Sequence, residues 1–96
     1  MFAVVTTQTI DPNRAEEVAR NLRDRVVPAQ RSLPGCSEVV HLRSHDGRTG
    51  MVIMILDTSD HAQQAAATVT TPEDAPVKIG STTIYEVSAH ACRAVG

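Results

Sequence analysis

The order of elements readable in this chain is strand, helix, strand, strand, helix, strand. It predicts an α+β ferredoxin-like fold, an antiparallel four-stranded sheet with both helices on one face. Three observations carry that prediction. Strand-like segments rich in β-branched residues recur along the chain. Two segments between them repeat apolar residues at helical spacing. The third is the hexapeptide Met51-Val52-Ile53-Met54-Ile55-Leu56, apolar without a break. A strand with one wet face alternates apolar and polar residues, so both faces of this one should be dry. Two helices cover only one face of a small sheet. A second copy of the chain is the simplest cover for the other, which gives a homodimeric α/β barrel with two sheets back to back. Six dry side chains contribute ~1.5–3 kcal/mol each when fully buried. Leaving half of them in water would forfeit several kcal/mol, comparable to the whole stability of a small domain.

Residues 2–10 read as the first strand. Asp11-Pro12-Asn13 starts a helix, with Asp11 capping and Pro12 at the first helical position, or Asn13 capping with Glu16 three residues on. Ala15, Val18, Ala19, Leu22, Val26, Ala29 and Leu33 follow one helical face. Pro28 falls inside this pattern and removes the hydrogen bond to the Asp24 carbonyl, so a kink is expected there. Pro34-Gly35 ends the helix. Residues 36–44 and 50–57 read as the second and third strands, joined by an Asp46-Gly47 hairpin turn. Ser59 is placed to cap a second helix, whose stripe of Ala62, Ala65, Ala66 and Val69 permits close approach to the sheet. Residues 71–76 form a loop. Segments 77–79 and 82–90 are extended, with Tyr85 and Glu86 on opposite faces.

The composition bounds the function. Ninety-six residues make one domain, 1–96, with a modest core of its own. Basic and acidic residues number 9 and 11, and Phe2 and Tyr85 are the only aromatics. With no basic cluster and no stacking platform, nucleic acid is not an expected partner. The longest apolar run is far short of the ~20 residues that span a bilayer. No signal-peptide pattern is visible, so a cytoplasmic location is the default expectation and no membrane partner is expected. Cys36 and Cys92 lack metal-ligand spacing and read as reduced thiols.

The opening MFAVVTTQTIDP, the helix end VVPAQRSLPG, the hairpin LRSHDGRTG and the closing IYEVSAHA together resemble the antibiotic biosynthesis monooxygenase (ABM) domain family. The resemblance covers roughly residues 2–91 and implies a dimeric α/β barrel. The family holds cofactor-free oxygenases of polycyclic aromatics, quinol monooxygenases and haem-degrading enzymes. The haem branch uses an Asn on the first strand, a Trp ending the third strand and a His within the second helix. Thr6, Leu56 and Ala65-Ala66-Ala67 stand at those places here, and His61 lies in the first turn of the helix instead. The expectation is therefore no cofactor, with haem disfavoured by the resemblance but not excluded.

The candidate chemistry is sparse. Thr6 and Gln8 share a strand face with Phe2 and Val4. If that face looks toward the helices, they are polar groups in an apolar cavity, able to orient a ligand or to bond neighbouring backbone. A two-residue Asp46-Gly47 turn would set His41 opposite Val52, beside Val39, Met54 and Leu56. There it can shuttle a proton near neutral pH, or sit as a satisfied core histidine. Thr6, Gln8 and His41 are the catalytic candidates. Met54, Leu56, His61 and Tyr85 are the substrate-binding candidates, and Tyr85 equally suits packing at a dimer interface. No pair of His, Cys or carboxylates has metal-site spacing, so no metal is expected. The expected function is a cofactor-independent monooxygenase-like protein acting on a small aromatic or quinol-type molecule. The alternative is a non-catalytic small-molecule-binding or stress-associated dimer.

Overall fold

The computed structural model describes residues 1–91. It contains four strands, β1 (Phe2–Ile10), β2 (Cys36–Arg43), β3 (Thr49–Leu56) and β4 (Val77–Glu86). All neighbours pair antiparallel in the order β2-β3-β1-β4. This is the ferredoxin-like α+β fold that the element order predicts. Fourth-strand pairing stops at Glu86 apart from one further bond, Val87 N–H to the Met1 carbonyl at 3.0 Å. The expected strand over 82–90 is therefore shorter, and Gly80-Ser81, between the two extended stretches, forms a bulge. There the register shifts between Thr6 and Gln8, and Thr7 Oγ1 accepts the Ser81 N–H at 2.9 Å.

The first helical arm begins as expected at Asp11, whose carboxylate accepts the Asn13 N–H at 3.0 Å with Pro12 at the first helical position. A 3-10 turn (Pro12–Arg14) leads into α1 (Ala15–Asn21), a π turn (Leu22–Val26) and α2 (Val27–Arg31). The π turn changes the expected phase. Val27 N–H reaches back five residues to the Leu22 carbonyl. The wide turn absorbs the proline that follows, whose ring would otherwise press on the Asp24 carbonyl. One extra residue per turn rotates everything downstream by about 100°. Val26 and Ala29, expected on the inward face, are exposed, while Val27 and Gln30 turn inward.

The β2–β3 hairpin keeps the register that a two-residue turn would give, with His41 opposite Val52. The turn itself is longer. Ser44 N–H bonds the Thr49 carbonyl at 2.8 Å, which leaves residues 45–48 as the loop. Asp46 Oδ1 accepts from Ser44 Oγ at 2.7 Å and from the Arg48 N–H at 3.0 Å. Gly47 takes the left-handed conformation, φ 75°, which favours glycine. Lengthening a hairpin loop by one residue from each strand preserves the pairing sum, so the facing of every side chain survives.

Helix α3 (Ser59–Ala67) is capped by Thr58, not Ser59. The Thr58 hydroxyl accepts the His61 N–H at 3.1 Å, and Ser59 becomes the first helical residue. Ala62 and Ala65 are buried against the sheet, and their small side chains let the helix sit close. With Val4, Val52, Met54 and Leu56 they make the core, flanked by Phe2, Leu33, Cys36, Val39, Ala66 and Val69. Thus β3 sends Val52, Met54 and Leu56 to the helix side. Met51, Ile53 and Ile55 go to the opposite face and remain half-buried.

Candidate functional site

The π turn and the hairpin register together build one feature on the helix side of the sheet. Val27, Gln30 and Arg31 are i, i+3 and i+4 on one side of α2, and they face β2. Cys36, Ser37, Glu38, Val39 and His41 complete the lining of a groove of about 240 Å³. Its centre is a hydrogen bond of 2.8 Å between His41 Nε2 and Gln30 Oε1. Burial lowers the His41 pKa below its ordinary value, so the ring is neutral at neutral pH. Cys36 is a free thiol whose Sγ–H points to the Glu38 carbonyl at 3.7 Å. Cys92 lies outside the described residues.

The other candidates are scattered. Thr6 is fully enclosed, its hydroxyl 3.3 Å from that of Thr82. Gln8 lies further along the same face, with Oε1 tight against Gly50. Met54 and Leu56 are core residues beneath the helices, 2% and 0% exposed. His61 pairs with Asp57, Nδ1 to Oδ1 at 2.6 Å. That hydrogen bond holds the Asp57 carboxyl below its ordinary range. Both groups lie against Gly35, φ 73°, where an added Cβ would collide with Asp57 Oδ1 and His61 Nδ1. Tyr85 pairs with Ala3 on the opposite face of the sheet and is 54% exposed. Of the seven, only His41 lines the groove.

Gln30 and Arg31 escaped the sequence reading because the uninterrupted helical phase pointed them outward. Pro28 was the available signal, since a proline inside a helical pattern announces a change of phase. A second hollow, about 330 Å³, lies among Asp11, Arg14, Glu73, Asp74 and Lys78. Its arginine is already committed, to the Asp74 carbonyl at 2.8 Å and to Glu17 at 2.5 Å. Among the described residues no group of three or more His, Cys, Asp or Glu could hold a metal ion. No helix there is long and apolar enough to cross a membrane.

No protein-family model and no curated protein matches the sequence. Solved structures that share the fold include two from one organism. The haem degrader MhuD of Mycobacterium tuberculosis, with two haems bound in its active site, is 15% identical. The match has a TM-score of 0.73 and covers 96% of this chain and 100% of that one. Rv0793 of the same organism is 19% identical, with a TM-score of 0.57 and the same coverage, 96% and 100%. The first likeness corrects the expectation of no cofactor. A protein of this fold holds haem in its active site, so the architecture lends no support to a site that works without one.

Whether this chain's own residues fit haem is a separate matter. The groove of about 240 Å³ falls below the ~300–1,000 Å³ of pockets that enclose a drug-sized ligand. A porphyrin is larger still. The groove is also crossed by the Gln30–His41 hydrogen bond. At this size it does not enclose a porphyrin.

Proposed function

We propose that this chain is a monooxygenase-like protein of the ABM type, and that it takes a small aromatic or quinol-type molecule in the groove between α2 and β2. The observation that carries the reading is His41, a neutral imidazole in a partly dry groove. Two apolar side chains, Val27 and Val39, stand there among Gln30, Arg31, Ser37 and Glu38, a more polar lining than most small-ligand sites have, with groups able to orient a polar substrate. A neutral imidazole can accept a proton and so act as a general base. In this reading the hydroxyl of a quinol gives its proton to His41, leaving an electron-rich phenolate and an imidazolium. Arg31, which lines the groove and has no ion-pair partner among the described residues, favours the anion.

The same reading includes a homodimer joined through the open sheet face. Ala3, Val5, Met51, Ile53 and Ile55 meet there with Val40, Leu42 and Tyr85. Val40, Leu42 and Tyr85 are 37%, 47% and 54% exposed. A contiguous apolar face of this kind marks an interaction surface.

The test is oxygen uptake by the purified protein with a panel of quinols and anthrones, with and without added haem. The reading predicts turnover that falls about 10²-fold or more in His41→Ala. Equal turnover in His41→Ala would refute the role of His41. A second reading, a non-catalytic binding protein, draws on the mutual satisfaction of Gln30 and His41. It predicts ligand-induced thermal stabilisation without oxygen uptake.

A further inference from the structure

We infer that Gln30 is a positioning residue that sets the tautomer of His41, so that the proton rides on Nε2 and Nδ1 is the basic atom of the groove. The inference rests on the reading of His41 as the general base. A glutamine Oε1 can only accept a hydrogen bond. It lies 2.8 Å from His41 Nε2, and with the amide oxygen on that side the pair is satisfied when Nε2 donates. A neutral imidazole has one N–H, which leaves Nδ1 with the free lone pair. Nothing else among the described residues bonds the ring. The charged and titratable groups around it are Arg31 on α2 and Glu38 and Cys36 on β2. Its register partner on β3 is the apolar Val52. None of these groups competes with Gln30 for Nε2.

The placement of Gln30 depends on the π turn. In an uninterrupted α-helix, residues 22, 26 and 29 would continue the inward face. With one residue gained, 27, 30 and 31 take that place. The wide turn thus has a chemical consequence, since π turns accompany functional sites. A glutamine suits this task better than a carboxylate would. It orients the ring without adding a charge, so the imidazole stays neutral and ready to accept a proton. The proton balance is simple. The substrate hydroxyl loses its proton to Nδ1, the ring becomes imidazolium, and the Nε2–H to Gln30 bond persists through the transfer.

The experiment reads the tautomer directly, from the ring nitrogen resonances of 15N-histidine-labelled full-length protein at neutral pH. The wild-type protein is expected to show Nε2 protonated and Nδ1 bare at His41. Gln30→Glu keeps an acceptor at this place. It should keep Nε2 protonated and move the acidic limb of the turnover-against-pH curve to higher pH. Gln30→Lys replaces the acceptor with a donor. It should invert the pattern and lower turnover about 10²-fold or more. The Gln30→Glu protein serves as the folded control. A wild-type ring protonated on Nδ1, or a pattern that ignores Gln30→Lys, overturns the inference even if quinols turn over. The expected tautomer with no turnover of any quinol upholds the inference and removes the functional reading instead.

Discussion

His41 is neutral because burial disfavours its cation, and that has a consequence for the whole fold. The unfolded chain protonates at the ordinary value of 6.5, while the folded one resists until lower pH. As pH falls, the unfolded state therefore binds the proton first. Stability contributed by the neutral ring is complete above about pH 6.5 and drains away as pH drops toward the lowered folded value. Urea unfolding of the wild-type protein is expected to weaken across that window, and His41→Leu should flatten this part of the profile. An unchanged slope in His41→Leu would mean that the ring is not desolvated. Gly35 makes a second residue-scale test. Its positive φ and its contact with the Asp57–His61 pair both exclude a side chain. Gly35→Ala should lower stability by about 1–3 kcal/mol, as strained backbone does, and a neutral result in chemical denaturation would contradict the packing described. These details were partly legible. His41 could be placed from the hairpin because β-strand facing follows a period of two. The tie to Gln30 could not, because it crosses between elements.

At the scale of elements, the strands were read more securely than the helices. The strands expected over 36–44 and 50–57 are found at 36–43 and 49–56, within one residue at each end, and their register survived a turn longer than foreseen. The second helix begins one residue early because Thr58 and Ser59 are both competent caps, and sequence alone does not choose between neighbours. Thr58→Ala should cost about 1 kcal/mol, with Ser59→Ala near neutral. The first helical arm holds the larger lesson. Val18 and Leu22 turn inward as expected, but Ala15 and Ala19 are exposed, and the π turn breaks the extension of the face to Val26 and Ala29. Single-sequence periodicity assumes a constant 3.6 residues per turn, and Pro28 signals a disturbance without giving its size. The shifted phase predicts an asymmetry between neighbours. Val26→Ser should change stability by no more than about 0.5 kcal/mol, as exposed substitutions do, whereas Val27→Ser should cost more. Denaturant midpoints that reverse this order would restore the uninterrupted helix.

Across the whole molecule, the sheet has two apolar faces with different tasks. One is closed by helices and carries the groove. The other, centred on half-buried Ile53, is covered by no helix among the described residues. The unbroken apolar run of β3 foretold both faces, because a half-wet strand would have alternated. It could not foretell the groove, which depends on how α2 rotates. Sedimentation velocity at micromolar concentration should give a species of twice 10.3 kDa, and Ile53→Arg should give the protomer by placing a charge at the centre of the face. A folded wild-type protomer at that concentration would remove the dimer. The functional claim has its own direct test, an amide NMR titration of the full chain with a soluble hydroquinone. Shifts confined to residues 27–31 and 36–41, strongest around His41, are the predicted result. Shifts centred on Ile53 and Tyr85, or none at millimolar ligand, would contradict a site in the α2–β2 groove.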